Sequence, residues 1–322
     1  MRFPCAIALF LPSLLTAQDP GLAAPTAPTE PVPTTMPALT TTWSTTPTTG
    51  DERFVRGGFG FDITNQYFFR GIQQENQGII VQPWAKLGYS LIDGDESMRA
   101  LDLTFGTWNS LDDHSPAPSN GEIWYESDFY IDLTAGLGER LTTGVRYTAY
   151  TSPNGSFNPT TRSGLRETVQ ELAFTFGYDD RALLLDSIDS GIQPYVKIAF
   201  ELDGQRDNGL VGNEGIYAEI GIRPTFALQE DHQNGLRLAV PIKLGFSLGD
   251  YYEDNSGGRD EFFGYLDVGA EINTAITFLP HRLGPWQANA GLHWLLLGDN
   301  LEERNAGDTS ELIVSVGVST RW

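Results

Sequence analysis

The chain contains one cysteine in 322 residues, and it stands at position 5. A lone thiol excludes a disulfide framework and a thiolate metal site. The four histidines, His114, His232, His281 and His293, include no i, i+2 or i, i+4 pair, so no imidazole metal site is spaced out along the sequence. Basic residues are scarce, with 20 Lys and Arg against 42 Asp and Glu, a net charge of -22. Binding to a phosphate backbone needs the opposite sign, which excludes nucleic acid as a partner. It also excludes a basic patch for a membrane surface. Beyond the N-terminus no run approaches 18 apolar residues, so no membrane-spanning helix is expected. Crossing a bilayer with strands stays open, because alternating strands are short and escape hydropathy windows.

What is abundant points to strands and turns: 35 Gly, 18 Phe, 12 Tyr and 7 Trp. Residues 1–17 read as an export signal, with Arg2 before the apolar stretch Ala6–Leu15 and Leu15-Thr16-Ala17 ahead of Gln18. Cys5 would leave with it. Residues 18–52 are rich in Thr, Pro and Ala and are interrupted by Pro25, Pro28, Pro31, Pro33, Pro37 and Pro47. Such a segment cannot bury enough apolar surface to fold, and is expected to be a disordered tether.

From residue 53 to 322 the pattern changes to alternating segments separated by turn residues. Twelve are expected, near 54–72, 78–91, 98–109, 123–136, 139–151, 166–177, 192–202, 214–228, 235–248, 262–276, 285–298 and 311–322. The proposed links alternate in length. Five of the six at one end (73–77, 110–122, 152–165, 203–213, 249–261, 299–310) have eleven residues or more. Four of the five at the other (92–97, 137–138, 178–191, 229–234, 277–284) have eight or fewer; Ala182–Leu185 in the exception suggest a short helix. An even strand count and this asymmetry fit an all-β fold: a single antiparallel transmembrane β-barrel of about 12 strands behind a disordered Pro/Thr-rich segment.

The two faces of each segment differ. Leu236, Leu238, Val240, Ile242, Leu244, Phe246 and Leu248 oppose Arg237, Ala239, Pro241, Lys243 and Ser247. The apolar faces run six or seven positions, close to what a tilted strand needs to cross a bilayer, while the polar faces carry charges in mid-strand. By this parity a lumen would hold eight basic residues, Arg70, Lys86, Arg146, Lys197, Arg223, Arg237, Lys243 and Arg321, and ten acidic ones, Asp62, Asp102, Glu126, Asp128, Asp132, Glu171, Glu201, Glu219, Asp267 and Glu271. The wall is nearly balanced, and most of the acidic excess falls in loops, turns and tether. Mixed rows of this kind either brace a barrel as cross-strand ion pairs or set a transverse field across a pore. In the last segment Leu312, Val314, Val316, Val318, Thr320 and Trp322 share one face, the expected lipid face, against Arg321 on the other. Val314, Val316, Val318 and the terminal Trp322 resemble the assembly signal of Gram-negative outer-membrane barrels.

Near the start, Tyr67-Phe68-Phe69-Arg70-Gly71 places an aromatic cluster before Arg-Gly at the end of the first segment. In this the chain resembles the TorF family of porins, whose pattern is close to Ser-Asp-Tyr-x-x-Arg-Gly-x-Ser. Tyr67, Arg70 and Gly71 match it, while Asn65, Gln66 and Gln73 depart. The resemblance implies a bacterial outer-membrane barrel and little about its solute. Arg70 is expected to face the lumen near the outer rim, in an ion pair, with Gly71 starting a turn.

Gly245-Phe246-Ser247-Leu248-Gly249 matches the G-x-S-x-G of hydrolase elbows, but it ends an alternating strand with no helix behind it. His293 is followed two residues on by Leu295, so the His-x-Ser of barrel phospholipases is missing. The acidic loop 250–261 lacks EF-hand spacing. No enzyme activity, cofactor or metal is therefore expected. The expected function is passive passage of small solutes through an outer-membrane porin-like barrel with both termini in the periplasm. Its expected partners are outer-membrane lipid, lipopolysaccharide and the barrel-assembly machinery. The alternatives are a non-conducting structural or adhesive barrel with acidic extracellular loops, or a barrel enzyme using Ser247 or His293.

Overall fold

The computed structural model describes residues 54–93, 97–113, 123–154, 168–181, 191–203, 214–229, 235–254, 259–280, 282 and 284–322. The expected signal, tether and short helix at 182–185, and His114, His232 and His281, lie outside these residues. In chain order the strands are β1 (Val55–Thr64), β2 (Tyr67–Phe69), β3 (Ile72–Glu75), β4 (Ile80–Asp93), β5 (Met98–Asp112), β6 (Trp124–Leu137), β7 (Leu141–Thr151) and β8 (Thr168–Tyr178). They continue as β9 (Tyr195–Asp203), β10 (Ile216–Ile222), β11 (Thr225–Ala227), β12 (Arg237–Ala239), β13 (Ile242–Gly249), β14 (Phe263–Ala275), β15 (Trp286–Leu297) and β16 (Ser310–Arg321), with a helix α1 (Asp299–Arg304) before the last.

All pairings are antiparallel between neighbours, and β16 returns to pair with β1, with Phe61 opposite Val318 and Ile63 opposite Val316. β10 with β11, and β12 with β13, each make one wall strand, so the barrel is closed by twelve. The interruptions fall at Pro224 and Pro241. Proline has no N–H to give the ladder, and there the bonds run one way only: Val240 N donates to Pro224 O at 2.9 Å and Gly269 N to Pro241 O at 2.8 Å. The eighth and ninth segments, expected to be continuous, are broken for this reason.

Alternation decides which side chains meet the core. Phe59, Phe61 and Ile63 on β1, Phe129, Ile131 and Leu133 on β6, and Leu292 and Trp294 on β15 are exposed on the outer wall. Asp62, Asp132, Arg146, Glu219 and Asp267 are buried inside. Val314, Val316 and Trp322 are exposed as well. Thr320, placed on the same face by parity, is buried. It lies opposite both Phe59 and Trp286, whose rings meet edge to face, and its hydroxyl donates to Pro285 O.

Inside the wall, tyrosines lie across glycines on the neighbouring strand, at Gly106–Tyr130, Gly221–Tyr195 and Gly245–Tyr265. A β-carbon on Gly106 would stand 2.1 Å from the Tyr130 ring, on which Arg146 is also stacked. Gly106→Val is therefore expected to lower the stability of refolded protein by about 1–3 kcal/mol through overpacking, measured as a reduced urea midpoint at unchanged slope.

The largest departure from the sequence expectation is at the first segment. β1 stops at Thr64 instead of running to residue 72, and the link to β4 is 65–79 rather than 73–77. Tyr67, Phe68 and Phe69 are all buried, which a wall strand with one outer face cannot achieve. They belong to a separate hairpin, β2–β3, paired only with itself.

Candidate functional site: the plugged lumen

The β2–β3 hairpin touches strands around most of the circumference, which places it within the lumen, at the end carrying the longer loops. Tyr67 packs on Trp108 of β5 and Tyr125 of β6, and Phe69 on Tyr150 of β7. Phe68 packs on Leu295 of β15 and Ile313 of β16. Ser110 of β5 donates to Glu75 Oε2 at 2.8 Å, and Tyr125 to Gln74 Oε1 at 3.0 Å. The turn is the tight two-residue kind, with φ of 51° at Arg70 and 83° at Gly71, the left-handed pair whose twist suits a hairpin.

Arg70 pins this plug to the far wall. Its Nη1 donates to Glu171 Oε2 at 2.7 Å and its Nη2 to Glu171 Oε1 at 2.8 Å, a bidentate pair with β8. Nη1 also donates to the Tyr251 hydroxyl at 3.0 Å, and Tyr150 donates to Glu171 Oε1 at 3.2 Å. The guanidinium carbon lies 4.0 Å from the centre of the Tyr217 ring, 4.7 Å from Phe69 and 5.4 Å from Tyr251. Arg70 and Glu171 are both buried, at 5% and 3% exposure.

Two further elements close over the turn. The loop after β13 brings Tyr252, whose hydroxyl donates to Arg70 O at 3.0 Å. Asp260 shapes that loop, accepting from Ser247 Oγ, Asp250 N and Tyr252 N. Burial, then Asp250 and Asp260, push the Glu253 carboxyl up. Helix α1, which stands where a plain loop is expected, ends at Asn305; Asn305 Nδ2 donates to Gly71 O at 2.8 Å and its Oδ1 accepts from Gln73 N at 2.9 Å. Leu301 of α1 is fully buried against the same cluster.

Towards the end carrying the terminus, charges inside the wall pair along it, between neighbouring strands. Asp132 and Arg146, register partners on β6 and β7, meet at 2.9 Å, and Lys243 meets its partner Asp267 at 3.1 Å. His293 sits between two carboxylates, Nδ1 2.9 Å from Asp267 and Nε2 3.1 Å from Glu271; Glu271 also binds Arg223. Tyr195 and Tyr217 both donate to Glu219 at 2.6 Å. Lys197 lies 5.8 Å from the Tyr217 ring, and Lys86 the same distance from Trp84. Asp128 is buried between Trp108 and Tyr150, its register neighbours. Arg237 is half-buried on β12. Arg70 is the one predicted residue that comes from the plug rather than the wall. Sequence reasoning missed Tyr217, Tyr251 and Asn305. A signal existed for the plug itself: Tyr67-Phe68-Phe69 breaks alternation just before Arg-Gly.

Ser247 and His293 bind different partners, Asp260 and the Asp267–Glu271 pair, so the structure does not bring them together. Among the described residues no group of three or more His, Cys, Asp or Glu is arranged to hold a metal ion.

No protein-family description matches the chain, and no curated protein matches it. Solved structures do. They include an outer-membrane channel from Pseudomonas putida F1 at 12% identity, covering 83% of this chain and 95% of that one with a TM-score of 0.46. Outer-membrane phospholipase A from Escherichia coli is similar at 12% identity, over 82% and 89%, with a TM-score of 0.41. A bacterial polysaccharide outer-membrane secretin is similar at 9% identity, over 84% and 99%, with a TM-score of 0.44. Likenesses this distant do not bear on solute or activity.

Proposed function

We propose that this chain is a bacterial outer-membrane channel for small solutes that is shut at rest by its own hairpin and conducts when the hairpin lifts. The observation that carries this is the reach of Arg70 across the lumen to a bidentate pair with Glu171. The plug is held by the Arg70–Glu171 pair, by ring packing and by hydrogen bonds to Glu75, Gln74, Gln73 N and the Arg70 and Gly71 carbonyls, none of them part of the wall's ladder, and the wall closes without it: Thr64 and Ile80 are already register partners. The apolar outer belt and the closed edge suit a bilayer, and the resemblance of Tyr67, Arg70 and Gly71 to TorF porins supports a channel. Both termini then lie in the periplasm and the longer loops outside. The reading includes no catalytic step, and its partners are lipid and lipopolysaccharide around the belt, and the assembly machinery at the last strand.

Planar-bilayer recording tests it. Wild-type protein is expected to be mostly silent, and a variant lacking residues 67–75 to show discrete conductance steps. The filled lumen also favours a second reading, a structural or adhesive barrel, and silence of the deletion variant would establish that one instead. The belt carries its own prediction. Val316→Arg puts a charge on the outer face and is expected to cost about 2–4 kcal/mol if the position lies near the bilayer midplane, measured by folding equilibrium into vesicles, while the same change has little effect in a water-facing site.

A further inference from the structure

The pocket that receives Arg70 is made almost wholly of the barrel, not of the plug. Glu171 comes from β8, Tyr150 from β7, Tyr217 from β10 and Tyr251 from the loop after β13; Phe69 is the plug's own share. The carboxylate presents both oxygens to the two terminal nitrogens of a planar fork, the Tyr217 ring lies under the guanidinium carbon at 4.0 Å, and the Tyr251 hydroxyl takes a further N–H. Tyr150 holds the carboxylate from the side. Planarity, fork spacing and an aromatic platform together select guanidinium over a simple ammonium ion, which lacks the bidentate match. Arg70 thus behaves as a ligand tethered to its receptor by the chain.

We propose that this wall pocket is a binding site for small solutes bearing a guanidinium group, which compete with Arg70 for Glu171 and Tyr217 and so release the plug. The inference rests on the gated-channel reading for its consequence, opening, but not for its site. A tethered ligand has a high effective concentration, so the free solute displaces it only in large excess, and opening rises with solute concentration. Nearby Lys197, 5.8 Å from the same ring, stays in the wall when Arg70 leaves and lowers affinity for a second cation without matching the fork.

The test uses methylguanidinium at millimolar concentration, with urea as the planar uncharged control and methylammonium as the unforked cation, on full-length protein refolded in detergent and in planar bilayers. In Arg70→Ala, titration calorimetry is expected to show saturable methylguanidinium binding, at least tenfold tighter than methylammonium and absent with urea, and lost in Arg70→Ala/Glu171→Gln. In wild type, methylguanidinium is expected to raise open probability severalfold. Binding without any conductance in either protein would leave the site and sink the channel. Conductance of Arg70→Ala with no saturable binding, or equal binding of the two cations, would leave the channel and overturn the site. Tryptophan fluorescence and heat-modifiable migration on gels confirm that both variants are folded before either result is scored.

Discussion

Arg70→Ala is expected to convert a mostly silent barrel into one that is open much of the time. The substitution removes three hydrogen bonds from the guanidinium, two to Glu171 and one to the Tyr251 hydroxyl, together with its contacts on the Tyr217, Phe69 and Tyr251 rings, and leaves the Glu171 carboxylate buried without its guanidinium partner. Breaking a buried pair from one side costs about 3–5 kcal/mol. That penalty falls on the closed state alone, because in the open state Glu171 meets water. Each 1.4 kcal/mol is tenfold in an equilibrium, so the closed-to-open ratio is expected to drop by about two to four orders of magnitude, read as open probability in single-channel records. Glu171→Gln attacks the same pair from the wall and is expected to act alike. The double variant should then fall well short of the sum, since the two residues share one interaction. An open probability indistinguishable from wild type in all three variants would mean that the aromatic packing of Tyr67, Phe68 and Phe69 holds the hairpin by itself.

The barrel was legible in the sequence because its cause is local. Period-two alternation in the last segment, as through Val314-Ser315-Val316-Gly317-Val318, needs no knowledge of other strands, and one edge pairing to β1 closes the fold. The breaks at Pro224 and Pro241 are not anticipated, since both prolines fit the alternation of segments expected to be continuous, although proline's missing donor is visible in the residue itself. The plug was not read because it depends on distant contacts. Tyr67 to Ile72 contains strand-forming residues and looks like an extension of β1; what makes it part of a separate hairpin is that Phe68 meets Leu295 and Ile313 while Arg70 meets Glu171 and Tyr217. No spacing along the chain announces those partners. The helix at Asp299–Arg304 was missed for a similar reason. Six residues give too little periodicity to notice, and the helix is held by Leu301 packing into the lumen cluster and by Glu302 N bonding to Gly298 O. Charge placement sits between these cases. Parity assigns Asp132 and Arg146 to the inside, but only the register makes them opposite one another.

Gly71→Val separates shape from charge at the same plug. Gly71 occupies the left-handed region at φ 83°, where a β-branched side chain is strained. A β-carbon there would also stand 2.6 Å from Leu301 Cδ1 and 3.1 Å from the Tyr265 ring. Leu301 is fully buried, so its end has little room to retreat. Backbone strain of about 1–2 kcal/mol adds to overpacking of about 1–3 kcal/mol, again borne by the closed state, since a lifted hairpin can relax its turn. Arg70 and Glu171 both remain in the chain, so their attraction is intact and opposes release. The expected result is therefore intermediate: brief, frequent openings, with an open probability above wild type and below Arg70→Ala. Asn305 gives a way to check that the hairpin itself has moved. Its amide bonds Gly71 O and Gln73 N in the closed state, and amide exchange at Gln73 is expected to speed up in Gly71→Val in step with open probability. Openings without faster exchange at Gln73 would locate the gate elsewhere, in the loop carrying Tyr251 and Tyr252.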